Sequence, residues 1–516
     1  MPEMRKRIIV SSGVSLLYLF LKLSVGGYCC FYQIHNDYWD LLFIAKNIDF
    51  SNLHSLFNPC IPFGYTSLLH FLIKTGSEVT VPIIVNIMFT SVTVFVSAMF
   101  FTTMMKKKTG LIAALLIGLF PPFFFYSNQG GADPGAAMFF SAGALLLIRQ
   151  SFGESARRVE YLLSGLLMGA GALFRFHVLA GAVFLVAVFL LFNPEKWKYA
   201  AIAIIGVSVS YVPQMVVSAA TGHGIFATKL GATNIYDLMY GINWYATSTE
   251  TIPANAVTVI SSDVALFIKK YCYCFAKFFL VTGIIPLTAG IIVRDPLAKK
   301  MSRMITVFVV LYFGLFSATL SGRQVLLPLP LTMLCLGLLI DDVGAPPGRN
   351  RRFGEVIHAG ILTGTAGMVL LFMYKDIGHV SRIRHEASLA NKIAVCLKQI
   401  GCTATRQIYT TDFNLSFRDI PGHIGLFSGG WMRWGAYRYN ELVPELNTSS
   451  VDGFIKDCVK MRVWYLLLTD GAKQVSPAMD DLYLRRIQPD EISFVKEIDR
   501  VRIYQLRSDL TESKGY

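Results

Sequence analysis

Apolar stretches of about twenty residues recur along this chain, and about twenty residues is what a helix needs to cross the hydrocarbon core of a bilayer. Inside lipid each backbone polar group must be satisfied within the segment, so a chain built this way folds as a bundle of membrane helices. The first stretch lies in MPEMRKRIIVSSGVSLLYLFLKLSVGGYCC. Its basic start and apolar run also suit a signal peptide. No small-x-small cleavage site follows and many further apolar segments do, so it reads as an uncleaved first span. Further spans are predicted over 81–105, 110–126, 133–149, 160–174, 178–192, 198–219, 271–293, 303–320, 323–340 and 354–374. That makes about eleven. Only 16% of the 516 residues are charged, against about a quarter in soluble chains. A wholly soluble enzyme, a disordered chain and a secreted disulfide scaffold are thereby excluded.

The loops assign sides to these spans. With Arg5, Lys6 and Arg7 inside, the inside loops hold Lys106–Lys108, then Arg149 with Arg157 and Arg158, and Lys196 with Lys198. The next two hold Arg294, Lys299, Lys300 and Arg303, and Arg349, Arg351 and Arg352. The longer outside segments, 29–80 and 220–270, hold only Lys46, Lys74, Lys229, Lys269 and Lys270. This is the positive-inside pattern. It accounts for a net charge of +14 without nucleic acid, since no basic stripe with interleaved aromatics occurs. An odd number of spans places the tail outside. The segment 160–192 decides that parity. As one helix it would be about 48 Å long, with Arg175 and His177 in its middle. Two short, broken or re-entrant helices fit better, with Arg175 facing a polar cavity. A single span there would move the tail inside.

The expected fold is therefore an α-helical polytopic membrane module, residues 1–374, followed by a small soluble α/β domain, residues 375–516. In the first outer loop LLFIAKNI and YTSLLHFLIK have the spacing of amphipathic helices on the membrane surface. The second outer loop is polar and aromatic around INWY. In the tail ASLANKIAVCLKQI, VDGFIKDCVKM and PAMDDLYLRRI read as helices, RQIYTTD and VWYLLLTD as strands, and FVKEI with VRIYQL as a closing strand pair. Nine cysteines make no metal pattern. The plain reading of all nine, Cys29, Cys30, Cys272 and Cys274 among them, is packing thiols. One disulfide among Cys396, Cys402 and Cys458 is left open if the tail is extracytoplasmic.

Four segments hold residues that suit chemistry at the outer boundary. HNDYWDLLFIAKN places His35, Asp37 and Asp40 just after the first span, where a desolvated carboxylate becomes a stronger base; a solvated loop acid is the plainer alternative. NQGGADPGAAMFF places Asp133 before Pro134 at the outer start of a span, where it also suits a helix cap. GLLMGAGALFRF carries Arg175, which either faces a polar partner or snorkels to the boundary. SGRQVLLPLP carries Arg323, whose guanidinium suits phosphate oxygens or anchors the boundary. Trp244 and Tyr245 suit stacking on a sugar or isoprenoid, though interfacial aromatics are common. His223 and His423 lack partners at metal-binding spacing. Asn414 and Asn447 open short glycosylation tripeptides that say little. No phosphate-binding loop, dinucleotide fingerprint or nucleophile elbow occurs.

Taken together these segments resemble the GT-C fold glycosyltransferases, in particular the family 39-type members that include protein O-mannosyltransferases and the lipid A aminoarabinose transferase. Asp37 followed by IAKN is similar to the first-loop acid with its helix, and NPCIPFGYTSLLHFL to the stretch after it. Asp133-Pro134 is similar to the second-loop acid-proline pair, GLLMGAGALFRF to the glycine-rich segment ending in a basic residue, and SGRQVLLPLP to the late arginine segment. The resemblance covers residues 8–340 and the tail in outline. Two departures stand out. Tyr38 follows Asp37 where a second acid is frequent, and Gln324 stands where a tyrosine is frequent.

The resemblance implies a polyprenyl-phosphate sugar as donor and an extracytoplasmic hydroxyl of a glycan, lipid or protein as acceptor. Asp37 would be the general base for an inverting attack, with Asp40 the weaker candidate. Asp133 would orient the acceptor or assist Asp37. Arg323, with Arg175, would stabilise the leaving phosphate. No cofactor is called for, and a divalent metal stays open. The expected place is a bacterial inner membrane with a periplasmic tail. The alternatives weighed are an envelope polysaccharide polymerase or ligase, and a transporter or flippase. No internal repeat of the transporter kind is visible.

Overall fold

The computed structural model describes residues 2–27, 37–58, 61–78, 80–152, 157–222, 230–241, 255–317, 322–343, 351–402, 407–411, 426–427, 446–460 and 463–507. Its helices are α1 (Pro2–Gly26), α2 (Asp37–Lys46), α3 (Leu53–Leu56), α4 (Phe63–Thr75), α5 (Thr80–Met104), α6 (Lys107–Leu119), α7 (Pro121–Tyr126), α8 (Asp133–Phe152) and α9 (Arg158–Ala172). They continue as α10 (Phe176–Phe192), α11 (Trp197–Ala220), α12 (Leu230–Tyr240), α13 (Ala256–Ser262), α14 (Val264–Thr282), α15 (Ile284–Ile292), α16 (Pro296–Phe316), α17 (Leu329–Val343) and α18 (Arg351–Gln399). The chain is thus an α-helical polytopic membrane protein. Among the described residues α1, α5 and the helix ending at Ala220 are each long and apolar enough to cross a membrane. The pair α14 and α15, bent by 56°, is a fourth candidate. Polar side chains within α5 turn back on their own helix. Thr90 Oγ1 donates to Asn86 O at 3.1 Å and Thr93 Oγ1 to Phe89 O at 2.9 Å, which satisfies hydroxyls that lipid cannot.

The apolar run 160–192 is two helices, as its length and Arg175 predict. The chain breaks after Ala172, and Arg175 is extended at φ −148° and ψ 126°. Tyr161 near the start of α9 lies 5.9 Å from Phe189 near the end of α10, so the two helices are antiparallel. Beside them α9 and α11 touch backbone to backbone. A Cβ at Gly206 would lie 2.5 Å from Leu162 O, and one at Gly165 would run into Ala203 O. Glycine allows this close approach of two membrane helices.

The basic clusters gather at one end of the bundle. Lys196 Nζ donates to Gln150 O at 2.9 Å, Lys300 Nζ to Asn193 Oδ1 at 3.0 Å, and Thr109 Oγ1 to Asp341 Oδ1 at 2.6 Å. Lys106 N also donates to Asp341. The predicted loop helices form as α2 and α4. The second outer segment departs from expectation, since α12 and α13 occupy much of what reads as loop.

The tail also differs from expectation at its start. The predicted last span and the helix in ASLANKIAVCLKQI are one helix, α18, of 49 residues and roughly 73 Å. The change in composition near Lys375 marks a change of surroundings. No proline interrupts the backbone ladder there, so the helix continues. Its outer part leads to a sheet of β1 (Gln407–Thr410), β2 (Leu426–Phe427), β3 (Val463–Leu468), β4 (Ile492–Ile498) and β5 (Val501–Leu506), in the order β2-β1-β3-β5-β4. β1 is parallel to β2 and β3, and β5 is antiparallel to β3 and β4. α19 (Val451–Lys460), α20 (Ala472–Val475) and α21 (Pro477–Tyr483) complete the domain. Its core takes in Ile44 of α2. Cys396, Cys402 and Cys458 are free and buried in it.

Candidate active site

The site forms at the end of the bundle opposite the basic clusters. α7 starts on Pro121, where a proline costs nothing because the first helical N–H needs no partner. It ends at Tyr126, and the six residues SNQGGA lead to α8. Their amides are tied back to α7: Ser127 N to Phe123 O at 3.1 Å, Asn128 N to Phe125 O at 3.0 Å and Gln129 N to Tyr126 O at 3.2 Å. Their carbonyls are held from outside. Asn86 Nδ2 of α5 donates to Gln129 O and, at 2.7 Å, to Gly131 O. The Tyr65 hydroxyl of α4 donates to Gly130 O. The Cδ2–Cε2 side of the Tyr38 ring of α2 abuts Gly130, where a Cβ would be 3.0 Å from Cζ and nearer still to Cδ2 and Cε2. Here glycine is required because another residue's ring occupies the side-chain position.

This clamped segment delivers Asp133. Ala136 N bonds Ala132 O at 3.1 Å, so Asp133 stands in the first turn of α8. Its carboxylate turns to arginine: Arg175 Nη2 lies 2.8 Å from Asp133 Oδ2, and Arg323 Nη1 lies 3.8 Å from the same oxygen. Arg175 reaches it from the break between α9 and α10. Arg323 reaches it from the 3-10 turn Gly322–Leu326 that precedes α17. All three side chains are largely buried. Arg175 Nε is buried and has no hydrogen-bond partner among the described residues. The Arg323 guanidinium lies 5.9 Å from the Tyr126 ring centroid. Gln324, at the position where the resemblance calls for tyrosine, accepts from the Tyr312 hydroxyl at 2.8 Å. His177 lies within electrostatic reach of Asp133, Arg175 and Arg323 and packs edge-on to Phe316 at 5.9 Å.

The structure thus brings Asp133, Arg175 and Arg323 together. Arg175 faces a polar partner, as its cost in an apolar run predicts. The backbone of Asp37 begins α2, and its neighbour Tyr38 touches the Asp133 segment. The side chains of Asp37 and Asp40 lie outside the described residues, as do His35, His223, Trp244, Tyr245, Asn414 and His423. Tyr65, Asn86 and Gly130 were not singled out in the sequence. Asn86 had a signal, a lone amide in an apolar run. Among the described residues no three histidine, cysteine, aspartate or glutamate side chains converge. The chemistry on offer is two buried guanidinium forks on one carboxylate, a geometry suited to planar or tetrahedral oxyanions.

No family model and no curated protein matches the chain. Among solved structures it is similar to ArnT from Cupriavidus metallidurans bound to undecaprenyl phosphate, with a TM-score of 0.61, 15% identity, and 97% of this chain and 99% of that chain covered. It is similar to the same protein in the apo state, with a TM-score of 0.60 and the same identity and coverage. It is also similar to the apo oligosaccharyltransferase of Archaeoglobus fulgidus, with a TM-score of 0.51, 11% identity, and 92% of this chain and 72% of that chain covered. The fold is therefore GT-C, polytopic with a small C-terminal sheet.

Proposed function

We propose that the protein is a membrane glycosyltransferase that moves a sugar from a polyprenyl-phosphate donor to an acceptor hydroxyl. The observation that carries this reading is the meeting of Arg175 and Arg323 on Asp133, with Arg175 Nε left buried and without an acceptor among the described residues. A buried N–H donor without a partner costs stability. A phosphate oxygen is the acceptor that suits a guanidinium best. That a similar fold holds undecaprenyl phosphate supports the choice.

In this reading the two guanidiniums take up charge on the bridging oxygen as the bond to the anomeric carbon breaks, acting where charge develops. Asp133 positions them rather than touching the sugar. Asp37 takes the proton from the acceptor hydroxyl, which attacks the anomeric carbon from the opposite face and inverts it. Polyprenyl phosphate leaves. The basic end of the bundle faces the cytoplasm, so the site and the tail face the periplasm of a bacterial inner membrane.

The test offers radiolabelled polyprenyl-phosphate sugars and an envelope extract to the purified protein in nanodiscs. Transfer by the wild type and none by a folded Asp37→Asn variant is expected. Equal labelling by both would remove Asp37 as the base. No labelling with any donor would refute the transferase reading.

A further inference from the structure

α1 carries a lysine, Lys22, that is 0% exposed. An ammonium within an apolar span is expensive unless it is paired and solvated by protein groups. Lys22 Nζ donates to Phe124 O at 2.8 Å and to Ser127 Oγ at 2.6 Å. It also lies 4.1 Å from the Phe124 ring centroid. Ser127 Oγ in turn donates to Phe124 O at 2.9 Å. Both acceptors belong to the last turn of α7 and the first residue of SNQGGA, the segment that delivers Asp133. An apolar side chain could fill the same space at lower cost, so the charge is there for what it binds.

The other side of this lysine is α18. Asp376 is 2% exposed, stands within electrostatic reach of Lys22, and has a buried Oδ1 with no hydrogen-bond partner among the described residues. Phe124 packs with Val380, Ile383, Ala387 and Ala390 of the same helix and with Val25 of α1. Nearly three turns further along, Glu386 takes Arg500 of the tail on both carboxylate oxygens at 3.0 and 3.1 Å.

We propose that Lys22 is a positioning residue for the candidate site. Through Phe124 O and Ser127 it fixes the segment that carries Asp133, and through Asp376 it makes that hold depend on the seating of α18. The line of interaction runs from Asp376 of α18 to Lys22 by electrostatics, then by Ser127 to the segment that carries Asp133 and its two arginines. The link to ligand binding rests on the function proposed above; the hold on the segment does not.

The test compares wild type with Lys22→Met, Ser127→Ala and Asp376→Asn in nanodiscs by amide hydrogen exchange and by binding of undecaprenyl phosphate. Ser127→Ala removes only a hydroxyl, and it carries the test if Lys22→Met fails to fold. Amides 127–129 are expected to exchange at least about tenfold faster in all three variants, with α11 unchanged, because opening becomes local. The double variant Lys22→Met/Ser127→Ala should show less than the combined effect of the two single variants, because both lose the Lys22–Ser127 bond while only Ser127→Ala also loses the bond to Phe124 O. Undecaprenyl phosphate should bind about tenfold more weakly, as expected for anchors displaced by a fraction of an ångström to an ångström. Unchanged exchange at 127–129, or equally faster exchange in α11, would overturn the proposal. A wild type that does not bind undecaprenyl phosphate would sink the lipid-phosphate reading, while the exchange data would still decide the role of Lys22.

Discussion

Gly130→Ala probes the site segment directly. The added methyl would meet the Tyr38 ring, 3.0 Å from Cζ and closer to Cδ2 and Cε2. Ordinary contact requires the ring to retreat by about 1.5 Å. Tyr38 has little room to do so, since it is fully buried and its hydroxyl donates to Glu78 O. The backbone at 130 is equally constrained, because its carbonyl takes the Tyr65 hydroxyl. Overpacking of this kind costs about 1–3 kcal/mol, and two anchored neighbours argue for the upper half of that range. Gly131→Ala is the matched control. Its Cβ would have as nearest neighbour Asp133 Oδ2 at 3.7 Å, so its stability should stay within about 0.5 kcal/mol of wild type. Thermal unfolding of both variants in the same nanodiscs is the assay. Gly130→Ala should melt lower and Gly131→Ala with the wild type. Equal melting of the two would refute the claim that Tyr38 holds this segment through Gly130.

Arg175→Lys keeps the charge but loses the fork and Nε, so undecaprenyl phosphate should bind about tenfold more weakly; unchanged affinity in a direct titration would place the phosphate elsewhere. Glu386→Gln breaks a two-pronged contact whose arginine is 40% exposed, so solvent screening limits the loss to about 1 kcal/mol; it should appear as faster proteolysis of the tail with no change in the bundle. Burial, with Asp457 adding to it, pushes the Cys458 thiol well above its ordinary value. Its maleimide labelling in the native protein should therefore not rise as pH passes the ordinary thiol value of about 8.5. Only the unfolded chain ionises that thiol there, so stability should fall above that pH; labelling that climbs with an ordinary midpoint would contradict the burial.

Much of this was legible in the residues because membrane helices advertise themselves by length and apolarity. α5, α8 and α11 stand within a few residues of their expected limits, and Arg175 announced the break between α9 and α10 by being too costly to leave in a continuous span. The strands VWYLLL and VRIYQL were equally plain. α18 was not, because a shift from apolar to polar residues reports the surroundings of a helix and not its end. α12 and α13 were missed because the polar, aromatic composition around INWY reads as loop, although α12 carries a helical apolar face. Within the site, Asp133 and Arg175 were both singled out, but their meeting across 42 residues of chain follows from how α8 and α9 pack, which no spacing encodes. Lys22 was overlooked although it carried the same signal as Arg175, a lone cation in an apolar run.

The unbroken backbone of α18 also constrains how this protein can vary in length. Asp376 and Glu386 face different partners, one in the bundle and one in the tail, from a single rigid rod. Each inserted residue would turn everything beyond it by about 100° and lift it by about 1.5 Å. One insertion between these two acids would swing Glu386 away from Arg500 while Asp376 stayed in place. Insertions and deletions in this stretch should therefore come in near-whole turns of three, four or seven residues.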